Sequence, residues 1–136
     1  MTGVSESGIP CYQIVVRGVE GRFAKPLRLK MAFMPGRSGR DNHTGVSVTA
    51  LRENVLEALR NNVGDVTLRA GTLHVGRVRN VEACGARLDV VPQPLSEDPL
   101  HAGIVGFPHR SPDEEPGVTA MCERLGELLA LQSRMM

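Results

Sequence analysis

The sequence predicts a single α+β domain with about five short, mostly antiparallel strands and two amphipathic helices in 136 residues. Three observations predict this fold. Short segments of β-branched or alternating residues recur along the chain between Gly and Pro residues, as strands do. Two longer segments carry leucines at helical spacing. Strands and helices do not alternate as β-α-β-α, and this mixed order is typical of an α+β fold rather than of a doubly wound parallel sheet.

The first half of the chain begins with a polar segment, residues 1–10, that we expect to be a flexible tail before the domain of residues 11–136. Three strands and one helix are predicted next, from alternation of apolar side chains and then from leucines on one helical face. Thr49 is the expected N-cap of that helix and Gly64 its expected stop. The predicted strands span 12–17, 27–33 and 45–48, and the helix spans 49–62.

The second half contributes further strands and a closing helix. Ala70 and Gly71 are expected to separate two β segments, and Pro92 to end a third. An apolar stretch with two glycines predicts one more strand, and the last leucine-rich segment predicts a helix. The candidate segments are 66–68, 73–78, 87–91, 101–107 and, for the helix, 118–134, and of the seven candidate β segments in the chain about five are expected to be strands.

Composition and charge exclude several classes of function. The net charge is +1, whereas a general binder of nucleic-acid phosphates carries a strong basic excess. Aromatic residues make up 3% of the chain, too few for the base-stacking surfaces of single-strand binders. No segment has the roughly 20 apolar residues that a membrane-spanning helix needs, and the N-terminus lacks a signal-peptide pattern. Cys11, Cys84 and Cys122 are widely spaced and odd in number, which favours reduced thiols in a cytoplasmic protein.

The densest polar segment, residues 36–43, is a candidate contact site for a ligand or a partner. It contains Arg37, Arg40, Asp41 and His43 among glycines, and arginine forks and glycine amides can hold an anion. The segment does not match a P-loop, and an exposed loop is the alternative interpretation. A second polar loop carries Glu114 and Glu115, which we expect to form a solvated acidic surface.

The histidines give no metal or catalytic signature. The sequence contains neither His-Glu-x-x-His nor a close His/Cys pair, so it predicts no metal, no cofactor and no catalytic residue. His74 alternates with Leu73 and Val75 and should face solvent or a cleft. His101 opens an apolar strand, where it can be a site residue or a structural hydrogen-bonding residue.

Three short motifs resemble a set of small bacterial proteins of uncharacterised activity. They are Gly-Val-Ser-Val at 45–48, Val-Gly-Arg-Val-Arg at 75–79, and Asp-Pro-Leu followed by His-Ala-Gly-Ile at 98–104. The resemblance covers about two-thirds of the chain and implies no activity. It draws attention to Ser47, Arg79, Asp98 and His101 as candidate contact residues.

Two functions follow from these features. The first is a non-enzymatic accessory subunit that binds a protein partner in a bacterial cytosolic multi-protein system. The second is a protein that binds or processes a phosphorylated small molecule or nucleotide. It requires Arg37, Arg40, Arg79, His74 and His101 to converge in one pocket.

Overall fold

A computed structural model of the chain describes residues 8–25, 28–35, 45–64 and 67–135. Along the chain these residues form strands and helices that do not alternate regularly. The strands are β1 (Ile14–Val19), β2 (Gly45–Ala50), β3 (Arg69–His74), β4 (Glu82–Ala83), β5 (Ala86–Arg87), β6 (Asp89–Pro92), β7 (His101–Val105) and β8 (Arg134–Met135). The α-helices are α1 (Val55–Val63), α2 (Val75–Val78) and α3 (Pro116–Gln132), and 3-10 helices span Gly21–Phe23 and Leu29–Phe33.

Six of these strands form one antiparallel sheet in the order β6-β7-β2-β1-β3-β8. The remaining two, β4 and β5, form a separate hairpin. The predicted α+β class and the antiparallel pairing are confirmed. The predicted count of five strands is wrong, because two-residue strands such as β8 carry too little pattern to be read from the sequence.

One face of the sheet holds the main core. Alternation along the strands turns Val15, Val46, Leu73 and Ile104 to this face, where they pack with Phe33 and α3. The α3 residues in this core are Cys122, Leu125 and Leu129, all fully buried. Each such leucine contributes about 2 kcal/mol through burial.

The opposite face of the sheet is covered by α1. Val55, Leu56 and Leu59 of this helix pack on Val16 of β1 and Ala70 of β3. An α-helix is about 10 Å wide and strands are spaced about 4.8 Å apart, so one helix covers two strands. Over the other half of this face, formed by β2, β7 and β6, the described residues therefore place no α-helix.

The predicted strand over 27–33 is wrong. Leu29–Phe33 forms a 3-10 helix that packs against α3, and Leu27 lies outside the described residues. Gly126 of α3 makes the close approach possible, because a Cβ at that position would lie 2.9 Å from the Lys30 carbonyl oxygen. Alternation over so short a segment does not distinguish a strand from a helical turn, and the contact with α3 decides the conformation.

The predicted start of α1 is also wrong, whereas its end is confirmed. Thr49 lies in β2 opposite His101, and its hydroxyl accepts a hydrogen bond from Arg52 Nη1 at 2.7 Å instead of capping a helix. The helix begins at Val55, after Asn54 in the left-handed conformation. Gly64 ends it with a φ of 74°, as glycine permits.

The second half of the chain departs from the prediction at short elements. β3 runs unbroken through Ala70 and Gly71 to His74, and α2 replaces the remainder of the strand predicted over 73–78. Gly71 leaves room for Phe33, whose Cζ would lie 3.2 Å from a Cβ there. The strand predicted over 87–91 is divided between β5 and β6, whereas β7 and α3 lie close to the predicted ranges. Within the predicted tail, Ile9 packs against the core.

Glu114 is not solvated as predicted. Its carboxylate is 3% exposed and receives the guanidinium of Arg110, whose Nε lies 3.1 Å from Oε1. Thr119 Oγ1 donates a further bond at 2.8 Å, and Arg110 Nη1 donates to the Pro35 carbonyl at 3.3 Å. The hydrogen bonds from Arg110, aided by Thr119 and Ser111 and opposed by burial, lower the pKa of Glu114 from 4.5 to about 2. This ion pair joins the start of α3 to the end of the 3-10 helix.

We predict that Glu114 makes the protein sensitive to acid. Its folded-state pKa is depressed, so its contribution to stability is complete above about pH 4.5 and is lost as the pH falls towards 2. Glu114→Gln should cost about 3 kcal/mol at pH 7, because it leaves the Arg110 charge buried without its counter-ion. Urea unfolding as a function of pH tests this, since the variant should lose less stability than the wild type between pH 5 and 2. An NMR titration of the wild-type Glu114 carboxyl that gave a pKa near 4.5 would contradict it.

We predict that Cys84→Asn stabilises the protein by about 1 kcal/mol. Cys84 and Gly85 occupy the two-residue turn between β4 and β5 with φ values of 53° and 82°. Asparagine tolerates this left-handed conformation, which type I′ hairpin turns require, better than cysteine does. Thermal unfolding provides the measurement, with Cys84→Ala as the matched control that removes the thiol but keeps the strain. Equal stabilisation by alanine would show that the thiol, not the backbone, is responsible.

Candidate binding cleft

The sheet is split between β1 and β2. Only Val15–Ala50 and Val16–Thr49 pair across these two strands. Both strands continue regularly beyond this point, β1 against β3 as far as Val19 and β2 against β7 as far as Gly45. The sheet therefore consists of two three-stranded halves, which separate on one side of the Val16–Thr49 pair.

Arg17 bridges this split. Its Nε donates to the Ala32 carbonyl at 2.9 Å and its Nη1 to the Ser47 carbonyl at 3.1 Å, so one guanidinium contacts both β2 and the 3-10 helix. In β1, Arg17 alternates into the same row as the buried valines Val15 and Val19. A charged side chain in a row of core residues needs polar partners. That position is the sequence signal that would have identified Arg17, which the sequence analysis missed.

A cleft of about 220 Å³ opens above the split, on the face that carries α1. Strand residues form its floor, Leu59 and Leu68 form one side, and the 93–100 loop forms the other. Gly18 contributes no side chain to the floor, and a Cβ there would lie 3.3 Å from Leu68 Cδ1. The lining residues are Val16, Arg17, Gly18, Ser47, Val48, Thr49, Leu59, Leu68, Leu95, Glu97, Asp98 and His101.

His101 presents an acceptor nitrogen in this cleft. It is the first residue of β7, and its Nδ1 lies 2.9 Å from the Gln93 carbonyl oxygen. Because a carbonyl oxygen only accepts hydrogen bonds, Nδ1 is the donor of this pair, and the tautomer with its proton on Nδ1 has Nε2 as an acceptor. His101 thus combines the two roles that the sequence left open, since it is held by a structural hydrogen bond and also lines the cleft.

Asp98 is held at the cleft by Arg52. Arg52 Nη2 lies 3.4 Å from Asp98 Oδ1, and the same oxygen accepts a bond from the Leu100 amide at 3.2 Å. Arg52 Nη1 also donates to the Ala50 carbonyl and to the buried Thr49 hydroxyl. These contacts fix the 93–100 loop beside the end of β2.

Three of the candidate contact residues, Ser47, Asp98 and His101, line this one cleft. His74 does not line it, although it lies on the same face, because three strand spacings separate its strand from that of His101, about 14 Å. His74 is exposed, as predicted. The candidate residues of the 36–43 segment, which are Arg37, Arg40, Asp41 and His43, lie outside the described residues.

Arg79, another candidate contact residue, does not line the cleft and lies at the outer edge of β6. Its Nε is 2.6 Å from Asp89 Oδ1, Nη2 donates to the Val90 carbonyl at 3.3 Å, and Nη1 lies 3.2 Å from Cys11 Sγ. Asp89 Oδ1 also accepts from the Val90 amide, and Pro92 has no amide proton. Both outward-facing backbone groups of Val90 are thus occupied and Pro92 has no donor, which makes this edge less able to pair with another strand.

Comparison of the chain with protein-family models, with curated proteins and with solved structures gave no match. The resemblance to small bacterial proteins therefore remains a prediction. Among the described residues, no helix has the length and apolar character needed to cross a membrane. In the same part of the chain, no three His, Cys, Asp or Glu side chains lie together as a metal site.

We predict that Arg17→Met destabilises the protein by about 2 kcal/mol, because two carbonyl groups at the split lose their hydrogen-bond donor. Arg124→Met is the matched control, since Arg124 forms an exposed ion pair with Glu127 and should change stability by less than about 0.5 kcal/mol. Urea unfolding of both variants provides the comparison. Equal stabilities of the two variants would contradict a bridging role for Arg17.

Proposed function

We propose that the chain is a non-enzymatic accessory subunit that binds a protein partner at the cleft. The observation that carries this proposal is the presence of exposed leucines beside the cleft. Leu95 is 42% exposed and Leu100 is 52% exposed, and both belong to the 93–100 loop. Leu51 is also exposed and follows β2, whose last amide bonds to the Leu100 carbonyl. Apolar side chains grouped with charged residues such as Glu97 and Asp98 are typical of a protein-binding surface.

The size of the cleft also supports a protein partner. Pockets that enclose small-molecule ligands usually measure about 300–1,000 Å³. The cleft, at about 220 Å³, is smaller and open, which suits one side chain of a partner better than a whole nucleotide.

The alternative, a site for a phosphorylated small molecule, receives less support from the same residues. Glu97 and Asp98 line the cleft, and carboxylates repel a phosphate. Arg79 is engaged by Asp89 at the β6 edge, and His74 lies away from His101. The residues required for the alternative are therefore not grouped within the described part of the chain.

The cellular setting is part of the proposal. The resemblance to small bacterial proteins and the three free cysteines support a bacterial cytosolic system. A subunit of such a system is identified by the protein that it binds, so the decisive experiment is capture of the partner.

We predict that the double variant Leu95→Ser/Leu100→Ser captures at least tenfold less of the partner than the wild type does. The tagged chain serves as bait in an extract of its source organism, and quantitative mass spectrometry measures each captured protein. Leu131→Ser is the matched control, because Leu131 is 76% exposed on α3, which packs on the opposite face of the sheet. The control should retain the partner, and circular dichroism should show all variants folded.

Two outcomes would overturn the proposal. One is the absence of any reproducible partner of the wild-type chain, and the other is equal capture by the double variant and the wild type. Titration with ATP and with inorganic phosphate tests the alternative function directly. Micromolar binding of either, reported by amide resonances around His101, would favour that alternative.

A further inference from the structure

We infer that the cleft binds an arginine side chain of the partner, with its aliphatic part against leucines and its guanidinium against Glu97, Asp98 and His101. This inference rests on the proposed function and specifies its chemistry. It follows from the way apolar and hydrogen-bond acceptor groups are divided within one small cleft.

The apolar part of the cleft suits an unbranched side-chain stem. Leu59 and Leu68 line one side, and Leu95 lines the other. Gly18 keeps the floor open between them, because any side chain there would contact Leu68. Arginine and lysine commonly lay their methylene groups along apolar surfaces of this kind while the charged end reaches polar groups.

The polar part of the cleft offers acceptors. Carboxylates at 97 and 98 accept hydrogen bonds, and so does His101 Nε2, since Nδ1 is committed to the Gln93 carbonyl. A guanidinium carries five donors and no acceptor, so it complements these groups. Its planar fork reaches acceptors on different residues at once, which favours arginine over the point charge of lysine.

Two carboxylates, those of Glu97 and Asp98, lie at this end of the cleft. Arg52 is the cation paired with Asp98. The Arg52–Asp98 distance of 3.4 Å is long for a charge-assisted bond, so Asp98 retains capacity for a second guanidinium. Arg17 also lines the cleft, and its Nε and Nη1 donate to the Ala32 and Ser47 carbonyl groups.

The volume of the cleft agrees with a single long side chain. About 220 Å³ corresponds to the volume of roughly seven water molecules. The number of non-hydrogen atoms in an arginine side chain is similar to this number of water molecules. A nucleotide, with its base, sugar and phosphates, has several times more.

The test is an NMR titration of the full chain with N-acetyl-arginine amide. N-acetyl-citrulline amide is the matched probe of the same shape without the charge, and N-acetyl-norleucine amide represents the stem alone. The arginine probe should shift the resonances of Gly18, Ser47 and His101 and should bind at least fivefold more tightly than either control. Glu97→Gln should weaken binding of the arginine probe at least threefold. Glu115 is an exposed carboxylate in another loop, so Glu115→Gln should leave this binding unchanged.

Gly18→Ala gives a steric test that keeps the strand conformation. The added methyl group occupies the floor of the cleft and should weaken the arginine probe at least threefold, while far-UV circular dichroism stays unchanged. The inference is overturned if the citrulline or norleucine probe binds as tightly as the arginine probe, or if Glu97→Gln has no effect. If the leucine double variant still fails to capture the partner, those results overturn the arginine inference alone and leave the proposed protein binding supported. Failure of the inference can therefore be distinguished from failure of the proposed function.

Discussion

Six strands side by side present a face about 24 Å wide, and one α-helix covers only about 10 Å of it. This constraint governs the arrangement of the molecule. On one face, α3, the Leu29–Phe33 3-10 helix and α2 together cover the core. On the other face, α1 packs over β1 and β3 alone. The 93–100 loop therefore lies over the remaining strands, and the space between the loop and α1 is the cleft.

The cleft depends on polar contacts as much as on packing. Arg17 supplies hydrogen bonds at the split where the β1–β2 ladder has stopped, and Arg52 holds the 93–100 loop through Asp98. Each arginine joins two segments that the backbone ladder does not join. The buried Arg110–Glu114 pair has the same role at the start of α3. An arginine-rich, lysine-poor chain of low net charge thus uses several guanidinium groups as internal connectors.

The sequence predicts best the elements whose pattern is long. α3 and β7 lie close to their predicted ranges, because leucine periodicity and a continuous apolar stretch each extend over several residues. The errors occur where a tertiary contact overrides a short pattern. Leu29–Phe33 alternates like a strand but packs as a 3-10 helix on Gly126, and Thr49 resembles a helix cap but pairs within β2. Glu114 lies in a polar loop, yet Arg110, four residues earlier, buries it.

The candidate site was predictable only in part. Short motifs indicated Ser47, Asp98 and His101, and the fold places all three in one cleft. The same reasoning grouped Arg79 and His74 with them, although Arg79 is committed to Asp89 and His74 is three strands away. The split between β1 and β2 has no periodic signature, because it depends on which strands stop pairing. The leucines of the cleft were missed for that reason, whereas the position of Arg17 in the row of Val15 and Val19 was a signal that could have been read.

The short β1–β2 ladder also affects how the molecule opens. β1 pairs with β3 over six residues and β2 with β7 over five, whereas two residue pairs, the bond from the Leu51 amide to the Ile14 carbonyl and the Arg17 guanidinium join the halves. Local opening takes place where the fewest hydrogen bonds must break together. The backbone amide protons of Gly18 and Ser47, beside this boundary, should therefore exchange with solvent before those in the interior of either half. A partner that fills the cleft would contact both halves at the boundary and couple their motions.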